Sequence, residues 1–369
     1  MSTLPIIYAV DAARNVTGSF TSLRNFAQAL RESARIVLVL PEDHAIPPSE
    51  LTGFWRVETL PIYAPSKRVS VLRRYVPALL ISGWKLRRMM QRDHATRLLL
   101  NDFYILQGAM MRLFYYQGLI ITWVRCEPRR FAGPLARPIL AVVRATSDHM
   151  VAVSQFIRSI LPAAMQPEVI YNIYQGRTRQ HQLWTNGPKR ILYVGNYIAG
   201  KGQDMGLEAF AIAAQDDPDL ELHFYGSDMG LAKNSEYRNA LNARAEQLGM
   251  SHRVTFGGFV ADTFPLLESA YMSLNCSVSE SFSRTVLEAS GAGVAVIATQ
   301  SGGPQEIIRE GETGYLIPVG DVNACAARIA ELARDPAKTA RMGEASAAHI
   351  AQHFSAQTIL NRLKDLLKL

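Results

Sequence analysis

Cysteine is nearly absent: Cys126, Cys276 and Cys325 are the only three in 369 residues. An odd, widely spaced set builds neither a disulfide framework nor a zinc-type cluster. The chain therefore reads as reduced and cytosolic. Long apolar runs are missing as well. None approaches the ~18–20 residues that cross a bilayer. The longest candidate, residues 75–84, YVPALLISGW, contains Pro77 and is bordered by arginines. No secretory leader is recognisable, because residues 5–10, PIIYAV, lack a basic start and run into DAAR. Acidic residues are scarce in one window. Residues 66–98 hold Asp93 alone against Lys67, Arg68, Arg73, Arg74, Lys85, Arg87, Arg88, Arg92 and Arg97.

What is present is an α/β pattern, long enough for two domains. Strand signals at 6–10, 36–40, 98–100, 119–124 and 150–153 alternate with polar loops and an amphipathic helix near 20–33. A second series follows, with strands at 190–194, 221–225, 253–256, 271–275 and 294–298. Helices are expected near 203–215, 235–248, 284–292, 321–334, 337–352 and 355–368. This alternation predicts parallel sheets with crossover helices. Residues 174–189 have no apolar periodicity and read as a linker. The charge is polarised too. Residues 1–188 carry 23 basic and 11 acidic residues, and residues 189–369 carry 16 and 21. Such polarity suits a first half that meets an anionic surface or substrate.

Residues 190–204, RILYVGNYIAGKGQD, nearly spell the phosphate loop G-x-x-x-x-G-K-[ST]. Gly202 stands where a hydroxyl would hold Mg²⁺, which counts against a nucleotide triphosphatase. The loop still offers backbone amides and Lys201 to a phosphate. A plain strand-to-helix turn with a solvated lysine is the other reading. Residues 276–306, CSVSESFSRTVLEASGAGVAVIATQSGGPQE, place Glu280 before a helix start near Ser283–Arg284 and Glu288 just inside that helix. Two carboxylates beside a helix N-terminus suit sugar hydroxyls and a diphosphate. Acidic residues near helix starts are also common without any ligand.

The E-x7-E spacing, the A-x-G, the apolar strand and the following G-G-x-x-E together resemble the donor-binding core of retaining glycosyltransferases of family 4. Residues 195–202, 256–260 and 312–319 extend the likeness, and 151–158 with 169–172 resemble the end of that family's first domain. It covers about two-thirds of the chain. The resemblance implies a GT-B fold, two facing Rossmann-like doubly wound domains with an interdomain cleft. The expected division is residues 1–180 for acceptor binding and 187–352 for the nucleotide-sugar donor. A C-terminal helix, 353–369, is expected to return to the first domain. The family roles fall on Glu288 for the donor ribose and Glu280 for the transferred sugar, with Phe282, Ser283 and Arg284 beside it. Lys201 takes the diphosphate. The usual partner of that lysine is an arginine, and here Asn196 stands in its place. Gly18 looks like the remnant of a loop over the phosphates. Arg125 falls near the family's histidine beside the sugar, though an ordinary surface arginine reads equally well. No metal and no cofactor beyond the donor substrate are expected.

The basic window mixes its charges with Trp84 and other apolar residues. That suits a surface-lying amphipathic segment, broken into pieces by Pro77 and Gly83. Lys67, Arg68, Arg73, Arg74, Trp84, Lys85, Arg87 and Arg88 are the expected contacts with an anionic inner-membrane surface. A merely solvated helix face is the alternative. No nucleic-acid reader motif accompanies the charge, so no such partner is expected. The expected activity is hexose transfer from a nucleotide-diphosphate sugar to a saccharide or lipid-linked acceptor, in bacterial surface polysaccharide assembly at the cytoplasmic membrane face. An epimerase or hydrolase of the same fold, or a non-catalytic nucleotide-sugar-binding protein, are the alternatives.

Overall fold

The computed structural model describes residues 4–63, 69–180, 184 and 187–369, with the side chains of residues 69–72 outside that description. Lys67 and Arg68 lie outside the described residues. The chain divides into two units. The first is Met1–Ile173 with Ala356–Leu369, and the second is Tyr174–Ser355.

The first unit runs β1 (Ile6–Val10), α1 (Gly18–Leu30), β2 (Arg35–Pro41), β3 (Arg56–Leu60), α2 (Val69–Arg92), β4 (Arg97–Leu100), α3 (Gln107–Leu113), β5 (Leu119–Val124), α4 (Pro128–Ala132), α5 (Ala136–Thr146), β6 (His149–Ala152), α6 (Gln155–Ile160) and β7 (Glu168–Val169). Its sheet is parallel throughout, in the order β3-β2-β1-β4-β5-β6-β7. Both faces are covered, which is why β1, β2 and β5 are unbroken apolar runs and do not alternate. One face buries Ile7, Leu38 and Trp123 beneath α1. The other buries Tyr8, Val37 and Leu98 with Leu86 and Met90 of α2.

The second unit runs β8 (Lys189–Val194), α7 (Gln203–Ala213), β9 (Leu220–Tyr225), α8 (Ala232–Gln247), β10 (Val254–Gly257), α9 (Phe264–Glu268), β11 (Met272–Asn275), α10 (Arg284–Gly291), β12 (Ala295–Thr299), α11 (Pro304–Ile307), β13 (Gly314–Ile317), α12 (Val322–Arg334) and α13 (Pro336–His353). Its parallel sheet has the order β10-β9-β8-β11-β12-β13. The last helix, α14 (Ala356–Leu367), belongs to the first unit. It buries Leu363 and Leu367 in the core shared with α1, and Arg97 Nε donates to Leu367 O at 2.6 Å. Residues 174–179 are hydrogen-bonded to the second unit, with Tyr174 N on Phe354 O at 2.8 Å and Arg179 N on Ala292 O at 3.1 Å.

Strand order reverses direction between β1 and β4 in one sheet and between β8 and β11 in the other. At such a switch point the loops beyond the carboxyl ends part and leave a crevice. The crevices are therefore bounded by Asp11 and Asn101 in the first unit, and by Gly195 and Cys276 in the second.

One expectation is corrected. The segment that Pro77 and Gly83 were to break is one helix, α2, passing straight through both. The reason is its buried stripe. Leu86 and Met90 are each 0% exposed, and each such burial is worth roughly 1.5–3 kcal/mol. Together they match or exceed the roughly 3 kcal/mol that an interior proline costs. Gly83 serves as a contact point, because a Cβ there would stand 2.4 Å from Met110 Cβ of α3.

Candidate functional site

The second-unit crevice begins where β8 ends. Gly195 N bonds Tyr225 O of β9 at 2.9 Å, and the loop then turns into α7. Two buried side chains fix that loop. Gln203 donates from Nε2 to Asn196 O at 2.9 Å and Gly195 O at 3.2 Å. Tyr193 OH accepts Cys276 N at 2.8 Å and donates to Lys201 O, tying the loop to the end of β11. Val278 N closes the tie on Gly200 O at 2.9 Å. Gly202 caps α7 with φ +78°, and a Cβ on it would lie 1.9 Å from Cys276 O. No serine or threonine fits there. The resemblance to an ATPase phosphate loop thus fails on space as well as on sequence.

These ties bring Lys201 and Glu280 together. Lys201 Nζ lies 2.7 Å from Glu280 Oε1, with the lysine side chain 35% exposed and the glutamate 11%. Ser277 Oγ donates to the same Oε1 at 2.7 Å. The Glu280 backbone is pinned to the loop after β12, through its N on Ser301 O at 2.9 Å and its O from Gly303 N at 2.8 Å. Four residues on, α10 starts at Arg284. Its N-cap, Ser283, has φ +71°, the left-handed region a serine enters at a cost. Buried Asn275 holds it there, donating from Nδ2 to Ser283 Oγ and Thr285 Oγ1, both at 3.1 Å. Phe282 is buried against Phe354, with ring centres 5.9 Å apart. Glu288 lies one turn into α10 and is ion-paired with Arg284. The α10 dipole puts positive potential over this corner. The arrangement offers two cations, Lys201 and Arg284, one helix start and two carboxylates to a ligand carrying phosphate and hydroxyl groups.

Asn196 opens the loop that leads to Lys201, and its carbonyl accepts from Gln203. Asn196 Oδ1 accepts Ser227 N at 3.1 Å, so the side chain joins the β8 and β9 loops.

In the first unit, Gly18 is exposed and opens α1, whose N-cap Thr17 accepts Phe20 N at 3.2 Å. Arg125 is no surface arginine. It is 7% exposed, its Cζ is 4.3 Å from the Trp123 ring centre, and it donates from Nε to Asn101 Oδ1 at 2.6 Å and from Nη1 to Asn172 Oδ1 at 3.0 Å. Asn101 in turn donates to Asp11 Oδ2 at 2.6 Å. Burial pushes the Asp11 carboxyl up, against the Asn101 bond and the Arg125 charge. Asp11, Asn101, Asp102 and Asn172 were not anticipated. A usable signal was there, since Asp11 directly follows the IIYAV strand and Asn101–Asp102 directly follow LLL.

Burial raises Asp102 from the ordinary 3.8 to about 6, although Arg125 N and Phe103 N both bond its Oδ1. The folded state thus binds the proton more tightly. The associated stability is full below pH 3.8 and is lost as pH rises through 6, by roughly 3 kcal/mol in all. Asp102→Asn should remove that fall, so that stability in urea titrations rises more steeply with pH across this window than in wild type. His349 works in the opposite sense. Burial lowers it from 6.5 to about 4, so its contribution is full above 6.5 and is lost as pH falls through 4. His349→Gln should therefore unmask the Asp102 fall, because the two contributions oppose each other over nearly the same pH window. A curve identical in wild type and Asp102→Asn would refute the assignment.

Two all-parallel α/β units with crevices at their switch points define the class, and solved structures give it the GT-B fold. The structure of HepE from Anabaena in complex with UDP and glucose superposes with a TM-score of 0.82, over 99% of this chain and 100% of that one, at 21% identity. Residues 175–349, nearly all of the second unit, match the model of the Glycosyl transferases group 1 family. EpsD of Bacillus subtilis (strain 168) is 32% identical over 194 residues, 53% of this chain. The lipopolysaccharide core biosynthesis glycosyltransferase LpsE of Rhizobium meliloti (strain 1021) is 28% identical over 177 residues, 48% of this chain. The matched segments span about half the length of these two relatives, 49% of each.

On α2, Arg73, Arg74, Trp84, Lys85 and Arg88 are exposed, as are Val76, Leu80 and Ile81. Arg88 Cζ sits 4.8 Å from the Trp84 ring centre. Arg87 points elsewhere, with its Cζ 5.5 Å from the Tyr116 ring centre and its Nε buried. No helix among the described residues is long and apolar enough to cross a membrane.

Proposed function

We propose that this protein is a retaining glycosyltransferase of family 4. It moves a hexose from a nucleotide-diphosphate sugar to a saccharide or lipid-linked acceptor in bacterial surface polysaccharide assembly. The observation that carries this reading is the Lys201–Glu280 contact at the second-unit switch point, next to the start of α10. LpsE, named for lipopolysaccharide core biosynthesis, and HepE, solved with UDP and glucose, support the substrate class.

In this reading the diphosphate lies against Lys201 and the first turn of α10. Glu280 accepts hydroxyl groups of the transferred sugar, and Glu288 accepts the ribose diol. The bond from the anomeric carbon to the phosphate oxygen breaks, and the acceptor oxygen bonds to the same face of that carbon. The acceptor proton passes to the leaving phosphate. Lys201 and the α10 dipole stabilise the charge that grows on that oxygen, the large electrostatic contribution in such sites. No metal is required, because a lysine and a helix terminus occupy the place where a cation would neutralise the leaving group. Arg125, held from Asn101 and Asn172, belongs to the acceptor unit.

Thermal shift against UDP, GDP, ADP and their common sugars tests the donor site, since a ligand of the folded state raises Tm by mass action. The expected result is stabilisation by one nucleoside diphosphate, unchanged by EDTA. A shift with none of them, or only with Mg²⁺–ATP, overturns the reading.

The same proposal places the protein on the cytoplasmic face of an anionic membrane through α2. The exposed Val76, Leu80, Ile81 and Trp84 can insert while Arg73, Arg74, Lys85 and Arg88 meet headgroups, a geometry that interfacial helices use. Flotation with phosphatidylglycerol vesicles should carry the protein upward. Phosphatidylcholine vesicles, or the Trp84→Glu/Arg88→Glu variant, should leave it at the bottom. Equal flotation of variant and wild type counts against α2.

A further inference from the structure

We propose that Glu280 also competes with the donor diphosphate for Lys201, and that this competition expels the nucleoside diphosphate product. The inference rests on the nucleotide-sugar reading above.

The two partners differ in freedom. Glu280 is fixed by backbone bonds on both sides and by Ser277 Oγ, and its side chain is 11% exposed. Lys201 is 35% exposed on a four-carbon stem and can swing. An arriving diphosphate therefore takes the lysine and leaves the carboxylate where it is. Glu280 then faces an anion, with Ser277 as its remaining partner of the two that share Oε1. A bound sugar repairs this, because its hydroxyl groups donate to the carboxylate. Once the sugar has left for the acceptor, nothing repairs it. The bare product then faces an unbalanced carboxylate, and re-forming the 2.7 Å ion pair favours its departure. Glu280 thus discriminates the sugar-bearing donor from the spent nucleotide by repulsion as well as by attraction.

Calorimetric titration of UDP, GDP and ADP into wild type, Glu280→Gln, Lys201→Met and the double variant tests this. Glu280→Gln should bind the preferred nucleoside diphosphate about three- to tenfold tighter than wild type. Its affinity for the matching nucleotide-sugar should not rise in step. Lys201→Met should bind the diphosphate more weakly, and adding Glu280→Gln to it should restore little. Glu246→Gln removes the same charge from an exposed position on α8 and should change nothing. If wild type binds a nucleoside diphosphate and a folded Glu280→Gln binds it equally or more weakly, the competition is refuted while the donor reading stands. If no variant binds any of the three, both fail together.

Discussion

Lys201→Met should lower the rate of sugar transfer by about 10²–10³-fold, mostly in kcat. The substitution keeps the length of the side chain and removes its charge. Charge on the leaving phosphate grows as the sugar–phosphate bond breaks, so a cation beside it is worth more in the transition state than in the ground state. That asymmetry predicts a large fall in kcat and a smaller rise in KM. Stability should barely move. The pair it breaks is partly solvated, and such pairs contribute about 0.2–1 kcal/mol. Glu280 keeps its bond from Ser277. Steady-state kinetics with the donor found by thermal shift, alongside urea unfolding, separates the two effects. Transfer within threefold of wild type would mean that the leaving group does not lie on Lys201.

The donor corner was legible because it is written locally. Lys201 follows β8 within seven residues, and Glu280 and Glu288 straddle one helix start, so local spacing singled them out while their expected roles came from the family resemblance. The Ser283 conformation was not legible, since serine carries no signal for a positive φ as glycine or asparagine would. What holds it is Asn275, eight residues earlier on another element. The first-unit cluster was hidden for a related reason. Asp11, Asn101, Arg125 and Asn172 come from the ends of different strands, and only the sheet order brings them together. The short strands β3, β7 and β13 escaped notice, being two to five residues long without a strong pattern of their own. Continuity of α2 through Pro77 depended on burial beneath it, which is a property of the partner surface rather than of the helix sequence.

Gly202→Ala should destabilise the protein by roughly 2–6 kcal/mol, the sum of a backbone cost and an overpacking cost. The backbone cost arises from φ +78°, and the overpacking from a Cβ placed 1.9 Å from Cys276 O. That oxygen cannot retreat freely. Its residue is bonded through N to Tyr193 OH, and two residues on Val278 N is bonded to Gly200 O. Relief of the clash therefore means moving the end of β11 away from the loop that carries Lys201, and the Lys201–Glu280 contact is lost with it. Gly230→Ala supplies the comparison. Gly230 has φ +66° with nothing within 4 Å of an added Cβ, so that variant should show the backbone cost alone, about 1 kcal/mol. Guanidinium unfolding of both variants gives the difference directly. Equal destabilisation would mean that the close approach at Cys276 does not exist. A large excess at Gly202 would also fix the chemistry of the loop. Serine or threonine, the residues that hold Mg²⁺ in a nucleotide triphosphatase, would meet the same oxygen with a larger side chain. The loop would then be committed by its packing to a phosphate site without that hydroxyl, whatever nucleotide fills it.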